Sequence, residues 1–199
     1  MTGMSERLFK PQDAHKLEDP ERLVWLPVAE VLRILGVRVG MDVADIGTGT
    51  GYFAIPLARM TGAQGKVYAV DLQPEMLNLL RAKLEGSLAP RNIELVQGEA
   101  SNTTLSAASV DAVLIANVWH ELDDPATALR EMVRILRSNG TLAILDWRPD
   151  RNPPPGPPIA RRIAATDIEQ LLQKNLWTTG PPINVGKYSY CVIGHPPRE

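Results

Sequence analysis

The stretch VADIGTGTGYFAIPLA, from Val43 to Ala58, decides the fold. An apolar strand ends at Asp45-Ile46, and Gly47, Gly49 and Gly51 alternate through the turn that follows before a helix-period run begins. Glycines at that spacing let the backbone turn sharply and approach a ligand with no β-carbon in the way. Amide groups at the start of the next helix would face a carboxylate or phosphate.

Asp71 lies twenty residues beyond Gly51, directly after the strand KVYAV. An acid in that place accepts hydrogen bonds from both hydroxyls of an adenosine ribose. The pair of signals fits a nicotinamide dinucleotide as well, because Gly49-x-Gly51-x-x-Ala54 matches the alanine-ended dinucleotide pattern. Asp45, immediately before the glycines, separates the two ligands: a carboxylate there attracts an ammonium group and repels a pyrophosphate.

Outward from this loop, short β-branched runs alternate with helical segments, the pattern of crossover units feeding a parallel sheet. Strands are expected at Asp42–Ile46, Lys66–Val70, Ile93–Val96, Val110–Ala116 and Thr141–Asp146, each apolar enough to be buried on both faces. A first helix is expected over Glu21–Leu35, stopped by Gly36, and a last one over Thr166–Asn175. Pro56 falls near the start of the helix after the glycine loop, while Pro74 and Pro125 look like helix-start prolines. A terminal hairpin is expected from Trp177–Thr179 and Tyr188–Ile193 around Gly180-Pro181-Pro182, closing the sheet edge.

The totals agree with one domain over residues 1–199, with a lead segment at 1–19 and a stiff proline-rich rim loop at 149–158. With 44% hydrophobic and 22% charged residues the composition is that of an ordinary globular protein. A net charge of −2 gives no field to gather nucleic acid or an anionic membrane. The single cysteine, Cys191, makes no internal disulfide; expected in a strand, it is read as buried and inert, and the cytoplasm is the expected compartment. No run approaches the roughly 20 apolar residues of a membrane helix, and the N-terminus lacks a signal-peptide core.

These residues together resemble the class I S-adenosylmethionine-dependent methyltransferases, especially the small bacterial ones related to the ubiquinone/menaquinone-biosynthesis type. The resemblance spans roughly Pro20 to Trp147 and rests on the glycine loop, on GKVYAVDLQPEML, on VQGEA and on VDAVLIANVWHELDDPATALREMVRILRSNGTLAILDW. It implies a Rossmann-like three-layer α/β sandwich whose seven-stranded, mostly parallel sheet ends in an antiparallel strand. It also implies that S-adenosyl-L-methionine is the cofactor. Asp45, Gly47, Gly49 and Gly51 would then hold the methionine end, Asp71 the ribose, and Leu72 with Gln73 the flanks of the adenine. Glu99, where the family more often has aspartate, would meet the adenine amino group. Ala100 would offer its amide to the ring, and Asn117 would sit by the reactive end.

Methyl transfer needs alignment, exclusion of water and, for a protonated acceptor, a base. His120, in the cluster that follows the fourth strand, is the candidate base. Glu121 reads as a solvated or hydrogen-bonded residue, and Asp123 and Asp124 as helix caps. His120-Glu121-Leu122-Asp123 lacks the second histidine of a zinc-binding helix, so no metal is expected. His15, Trp25 and Trp147 are candidates for an acceptor pocket, with the core as the favoured place for Trp25. Arg148, Arg151, Arg161 and Arg162 are candidates for an anionic acceptor. The expected partner is a small-molecule acceptor, with a homodimer as a further expectation. Two other functions stay open on the sequence: a nicotinamide-binding oxidoreductase, and a protein that binds the methyl donor without catalysis.

Overall fold

The computed structural model describes residues 8–151 and 156–197. Five apolar runs pair as parallel strands: β1 (Val43–Ile46), β2 (Val67–Asp71), β3 (Ile93–Gln97), β4 (Val110–Ala116) and β5 (Leu136–Trp147). Three antiparallel strands finish the sheet: β6 (Thr178–Thr179), β7 (Ile183–Val185) and β8 (Ser189–His195). The order is β3-β2-β1-β4-β5-β8-β6, with β7 also paired to β8. Seven strands thus follow the expected path and β7 is an addition to it.

Alternation along the central strands sends side chains to two faces, and each face is covered by helices. Ala44, Ile46, Val113 and Ile115 pack with α5 (Pro125–Ile135) and α6 (Ala165–Lys174) through Leu129, Met132, Ile168 and Leu172. Val43, Val67 and Leu114 face α2 (Val28–Leu35), α3 (Ala54–Thr61) and α4 (Pro74–Leu84) through Leu32, Leu57 and Leu80. Each fully buried leucine contributes about 1.5–3 kcal/mol relative to an exposed one. Pro74 and Pro125 open α4 and α5, where the missing N–H costs nothing, and Asp124 caps α5 by accepting from the Thr127 amide at 3.0 Å. Among the described residues no helix is long and apolar enough to cross a membrane.

The structure corrects several expectations. The helix expected over Glu21–Leu35 is two pieces, α1 (Arg22–Trp25) and α2, because Pro27 has no N–H to continue the ladder and its ring crowds the preceding turn. Gly36 does end the second piece, in the left-handed conformation at φ 75°. β3 is an edge strand and only partly buried, so burial on both faces fails there. β5 starts at Leu136, directly after α5, because its polar stretch Arg137–Gly140 is carried into the sheet through an irregular register between Val110 and Ala112 of β4. The tight terminal hairpin joins β7 to β8 around Gly186, whereas β6 pairs separately with the far end of β8 at His195 and Gly194.

The chain leaves β1 toward β2 and reaches β4 on the other side. Loops from the carboxyl ends of β1 and β4 therefore diverge and open a crevice, the place where ligands bind in open α/β sheets.

Candidate functional site

A cavity of about 540 Å³ fills that crevice. Its floor comes from strand ends: Asp45 and Gly47 from β1, Asp71 and Leu72 from β2, Asn117 and His120 after β4, and Trp147 from β5. Its roof is the segment before α2, through Phe9, Leu17, Arg22 and Trp25, together with Gly156–Pro158 of the rim loop. A second cavity of about 220 Å³ adjoins it beyond Leu72 and Val118 and is walled by Glu99, Ala100 and Ser101.

Asp71 ties two loops together. Its Oδ2 accepts the Gly49 amide at 2.8 Å and its Oδ1 accepts the Gln73 amide at 2.9 Å. A carboxylate has about four lone-pair sites, so each oxygen retains capacity for a hydroxyl from the cavity. Burial pushes this carboxyl above its ordinary range, against the amides of Gln73, Gly49 and Leu72, which favour the charged form. Gln73 also holds the roof, donating through Nε2 to the Phe9 carbonyl at 2.9 Å.

Asp45 is 2% exposed and its Oδ2 accepts from Thr48 Oγ1 at 2.8 Å. Burial drives its carboxyl up to about 7, opposed by the Thr48 hydroxyl and reinforced by the charge of Asp71. The positive charge of Arg22 works against this rise. That guanidinium is also buried, lies 4.0 Å from the Tyr52 ring centroid, donates through Nη1 to the Leu17 carbonyl and has a buried Nε with no partner.

The three loop glycines divide by role. A β-carbon on Gly47 would stand 2.3 Å from Val118 Cγ2, and one on Gly51 would stand 2.4 Å from Leu80 Cδ1, so packing excludes a side chain at both in addition to their left-handed backbones at φ 72° and 87°. Gly51 lies behind the cavity wall, next to Gly49 and Thr50, which line it. Gly49 is different: at φ 55° its nearest neighbour would be Leu17 Cδ1 at 3.4 Å, so the backbone there is left bare toward the cavity. Asn117 adopts φ 58°, a conformation asparagine tolerates, and its buried Oδ1 on the cavity wall has no partner. A bare loop backbone, two buried carboxylates, a buried guanidinium and an orphaned amide oxygen fit an adenosyl amino acid with an ammonium, a carboxylate and a ribose diol.

In the second cavity Glu99 accepts from Ser101 Oγ at 2.7 Å, and Leu72 and Ala100 lie on the same walls. At the other end His120 Nδ1 lies 2.8 Å from Asp146 Oδ1, and Asp146 Oδ2 accepts the His120 amide at 2.9 Å. Trp25 and Trp147 meet with ring centroids 5.4 Å apart, and both line the cavity. Trp25 is half-buried: it lines the wall and also packs against the core layer that holds Leu26 and Val31. His15 is exposed and off the wall, contrary to expectation. Of the four arginines, Arg161 reaches the wall; Arg148 pairs with Asp150, Arg151 lies 3.8 Å from the same carboxylate, and Arg162 donates to the carbonyls of Pro157, Arg148 and Arg151.

Sequence reasoning missed Arg22 and Asp146, whereas Trp25 and the rim loop were expected near the site. Asp146 ends an apolar strand, where the change from AIL to DW was the available signal. Arg22 belonged to a helix expected to be continuous, and the Pro27 break was the sign that it could turn inward.

Comparison with known proteins assigns the family of the fold. Residues 44–144 match the family described as "Methyltransferase domain". The chain is 38% identical over 118 residues to a ubiquinone/menaquinone biosynthesis C-methyltransferase of Hahella chejuensis, covering 59% of this chain and 47% of that one. It is 39% identical over 126 residues to an uncharacterised methyltransferase of Mycobacterium bovis, covering 63% and 44%. The chain therefore spans about half the length of the curated relatives it matches. A crystal structure of a SAM-dependent methyltransferase from Aquifex aeolicus superposes with a TM-score of 0.88 at 34% identity, covering 94% of this chain and 98% of that one. The chain thus belongs to the class I S-adenosylmethionine-dependent methyltransferases, in the branch related to the ubiquinone/menaquinone-biosynthesis enzymes.

Proposed function

We propose that this chain binds S-adenosylmethionine in the crevice and directs methyl transfer to a small-molecule acceptor seated against Trp25 and Trp147. The observation that carries the reading is the convergence of Asp45, Asp71 and the bare Gly49 backbone on one cavity beneath a buried Arg22.

In this assignment Asp45 faces the cofactor's ammonium, Arg22 its carboxylate, Asp71 the ribose hydroxyls, and Leu72, Gln73, Glu99 and Ala100 surround the adenine. When bound, S-adenosylmethionine supplies an electrophilic methyl group: the acceptor's electron pair makes the new bond to carbon, and the pair of the breaking C–S bond stays on sulfur. The protein's own work is orientation, exclusion of water by the roof from Phe9 to Trp25, and handling of any proton the acceptor gives up. His120 is the proposed base, and Asn117 lines the wall between it and the glycine loop. The names of the relatives make a quinol ring one candidate acceptor, and a flat ring suits the aromatic wall of Trp25, Trp147 and Tyr52.

Calorimetric titration with S-adenosylmethionine, S-adenosylhomocysteine and NAD tests the proposal, with Asp71→Ala as control. Micromolar binding of the adenosyl ligands, lost in the variant, is the expected result. Binding of NAD alone, or of none of the three, would overturn it.

A further inference from the structure

The short turn after β4 puts Trp119, His120 and Glu121 in a single turn of 3-10 helix. Trp119 is buried and anchors the turn, which leaves the next two side chains facing the cavity. The His120, Glu121 and Asp146 side chains are 6%, 14% and 1% exposed. All three are ionisable, and this much buried charge-bearing chemistry is expensive unless it is paired.

The pairing has a definite direction. Asp146 Oδ1 accepts the Trp147 amide at 2.8 Å, and Oδ2 accepts the His120 amide at 2.9 Å. With backbone donors on both oxygens, Asp146 acts as an acceptor toward the ring, so the proton on His120 sits on Nδ1, 2.8 Å away. In the neutral ring Nε2 then carries the lone pair. Nε2 lies 3.8 Å from Glu121 Oε1, too far for a direct bond and close enough for one to form with a small side-chain movement or an intervening water. Glu121 borders both cavities, whereas His120 borders the larger one, together with Trp147 and Arg161.

We propose that Glu121, His120 and Asp146 form one proton-handling array at the acceptor end of the site, and that the acceptor is accordingly protic: its methylated atom carries a proton that must leave, as in a hydroxyl group. Asp146 is a positioning residue that fixes the ring and its tautomer. His120 Nε2 takes the proton as the acceptor's electron pair turns to the methyl carbon. Glu121 receives that proton from the imidazolium and passes it toward solvent. An acceptor methylated on a lone pair with no proton to lose has no use for this array. The inference deepens the methyltransferase reading and rests on it for the identity of the step.

The surroundings agree. Burial lowers the proton affinity of His120, but the bond and charge of Asp146, with Glu121, outweigh it and the net direction is upward, while Arg161 opposes. Burial lifts Glu121 to about 7 against His120 and the Phe9 amide, with Asp146 and Asp71 adding to the rise. Arg162 and Tyr190 from neighbouring elements also lie within the field of Asp146.

The chain has three histidines, so selective nitrogen-15 labelling of histidine gives a spectrum that can be assigned by the loss of one ring in His120→Gln. The expected wild-type result is a neutral His120 protonated on Nδ1, with a titration midpoint above the ordinary value of about 6.5. Asp146→Asn is expected to mix the tautomers and lower the midpoint by at least about one pH unit, a tenfold change in proton affinity. Glu121→Gln should lower it less and leave the tautomer intact. A wild-type ring protonated on Nε2, or a midpoint unmoved by both substitutions, would overturn the proposal. The wild-type tautomer and Glu121→Gln decide the matter even if Asp146→Asn does not fold. None of these readouts needs a ligand, so failure to bind S-adenosylhomocysteine would sink the cofactor reading separately.

Discussion

The Gly49 amide and the Asp71 carboxylate, 22 residues apart in the chain, meet in a 2.8 Å hydrogen bond that locks the loop after β1 to the end of β2. The same carboxylate holds the Gln73 amide, so one side chain shapes the loop and offers its remaining lone pairs to the cavity. Asp71→Asn must turn an NH₂ group toward one of these two donors. A buried donor left unpaired costs about 1–3 kcal/mol. Binding of S-adenosylhomocysteine is expected to weaken at least tenfold, with a stability loss in that range by urea denaturation. Unchanged affinity in a folded variant would remove Asp71 from the site.

Gly47 and Gly49 should respond differently to the same change. In Gly47→Ala the new methyl collides with Val118 Cγ2 at 2.3 Å, and overpacking of this kind costs about 1–3 kcal/mol on top of the left-handed backbone penalty at φ 72°. Adding Val118→Ala should recover part of the loss. In Gly49→Ala the nearest atom is 3.4 Å away, so only the left-handed backbone penalty of about 1–2 kcal/mol applies. The methyl would nevertheless stand where a ligand approaches, and affinity should fall more than stability. Thermal melts and calorimetry on the three proteins separate these effects; equal stability losses with equal affinities would contradict the division.

The parallel core of the fold was legible because β1, β2 and β4 are largely buried and carry mainly apolar runs between turn residues. The expected strand over Val110–Ala116 is the observed one. Where the reading failed, the deciding interactions were remote in sequence. Val28, Val31 and Leu35 continue the period of Leu23 and Val24, so periodicity alone could not register the backbone break at Pro27 that turns Trp25 toward Trp147. β7 has three residues, too few for an alternation signal, and forms because β8 offers it a partner. The glycine loop and Asp71 were recognisable from local spacing. Asp146 was not, since its partner His120 lies 26 residues away and only the pairing of β4 with β5 brings them together.

Glu131 on α5 should make the fold sensitive to acid. It accepts from the Thr103 amide at 2.8 Å, from Thr103 Oγ1 at 2.6 Å and from Arg134 at 2.7 Å, fastening the loop beyond β3 to the helix. Burial alone would raise its carboxyl, but the bonds from Arg134 and Thr103 outweigh burial and bring it to about 2. An acid depressed from an ordinary 4.5 contributes stability that is present above that value and lost as pH falls toward 2. Glu131→Gln should lose about 1–3 kcal/mol at pH 7 and show a shallower fall between pH 5 and 3. Denaturation curves at the two ends of that interval test this; parallel wild-type and variant profiles would contradict it.

Asp45 carries the opposite sign. Burial raises its carboxyl from 3.8 to about 7, so between those values the folded protein holds a proton that the unfolded chain has released. Stability of the ligand-free protein from this group therefore declines as pH climbs from about 4 to about 7 and levels off above; Glu121, also raised to about 7, adds a slope of the same sign. An ammonium group beside Asp45 would reverse the preference by stabilising the carboxylate, so S-adenosylhomocysteine should bind more tightly as pH rises to 7 and release a proton as it does so. Asp45→Asn removes the charge and keeps the shape. It should be more stable than wild type at pH 8, by on the order of 2–4 kcal/mol, and should bind the ligand weakly and with less dependence on pH. Calorimetry at pH 6.5 in two buffers of different ionisation heat measures the proton release directly. A variant less stable than wild type at pH 8, with the same proton release on binding, would show that Asp45 is not the group the ligand ionises.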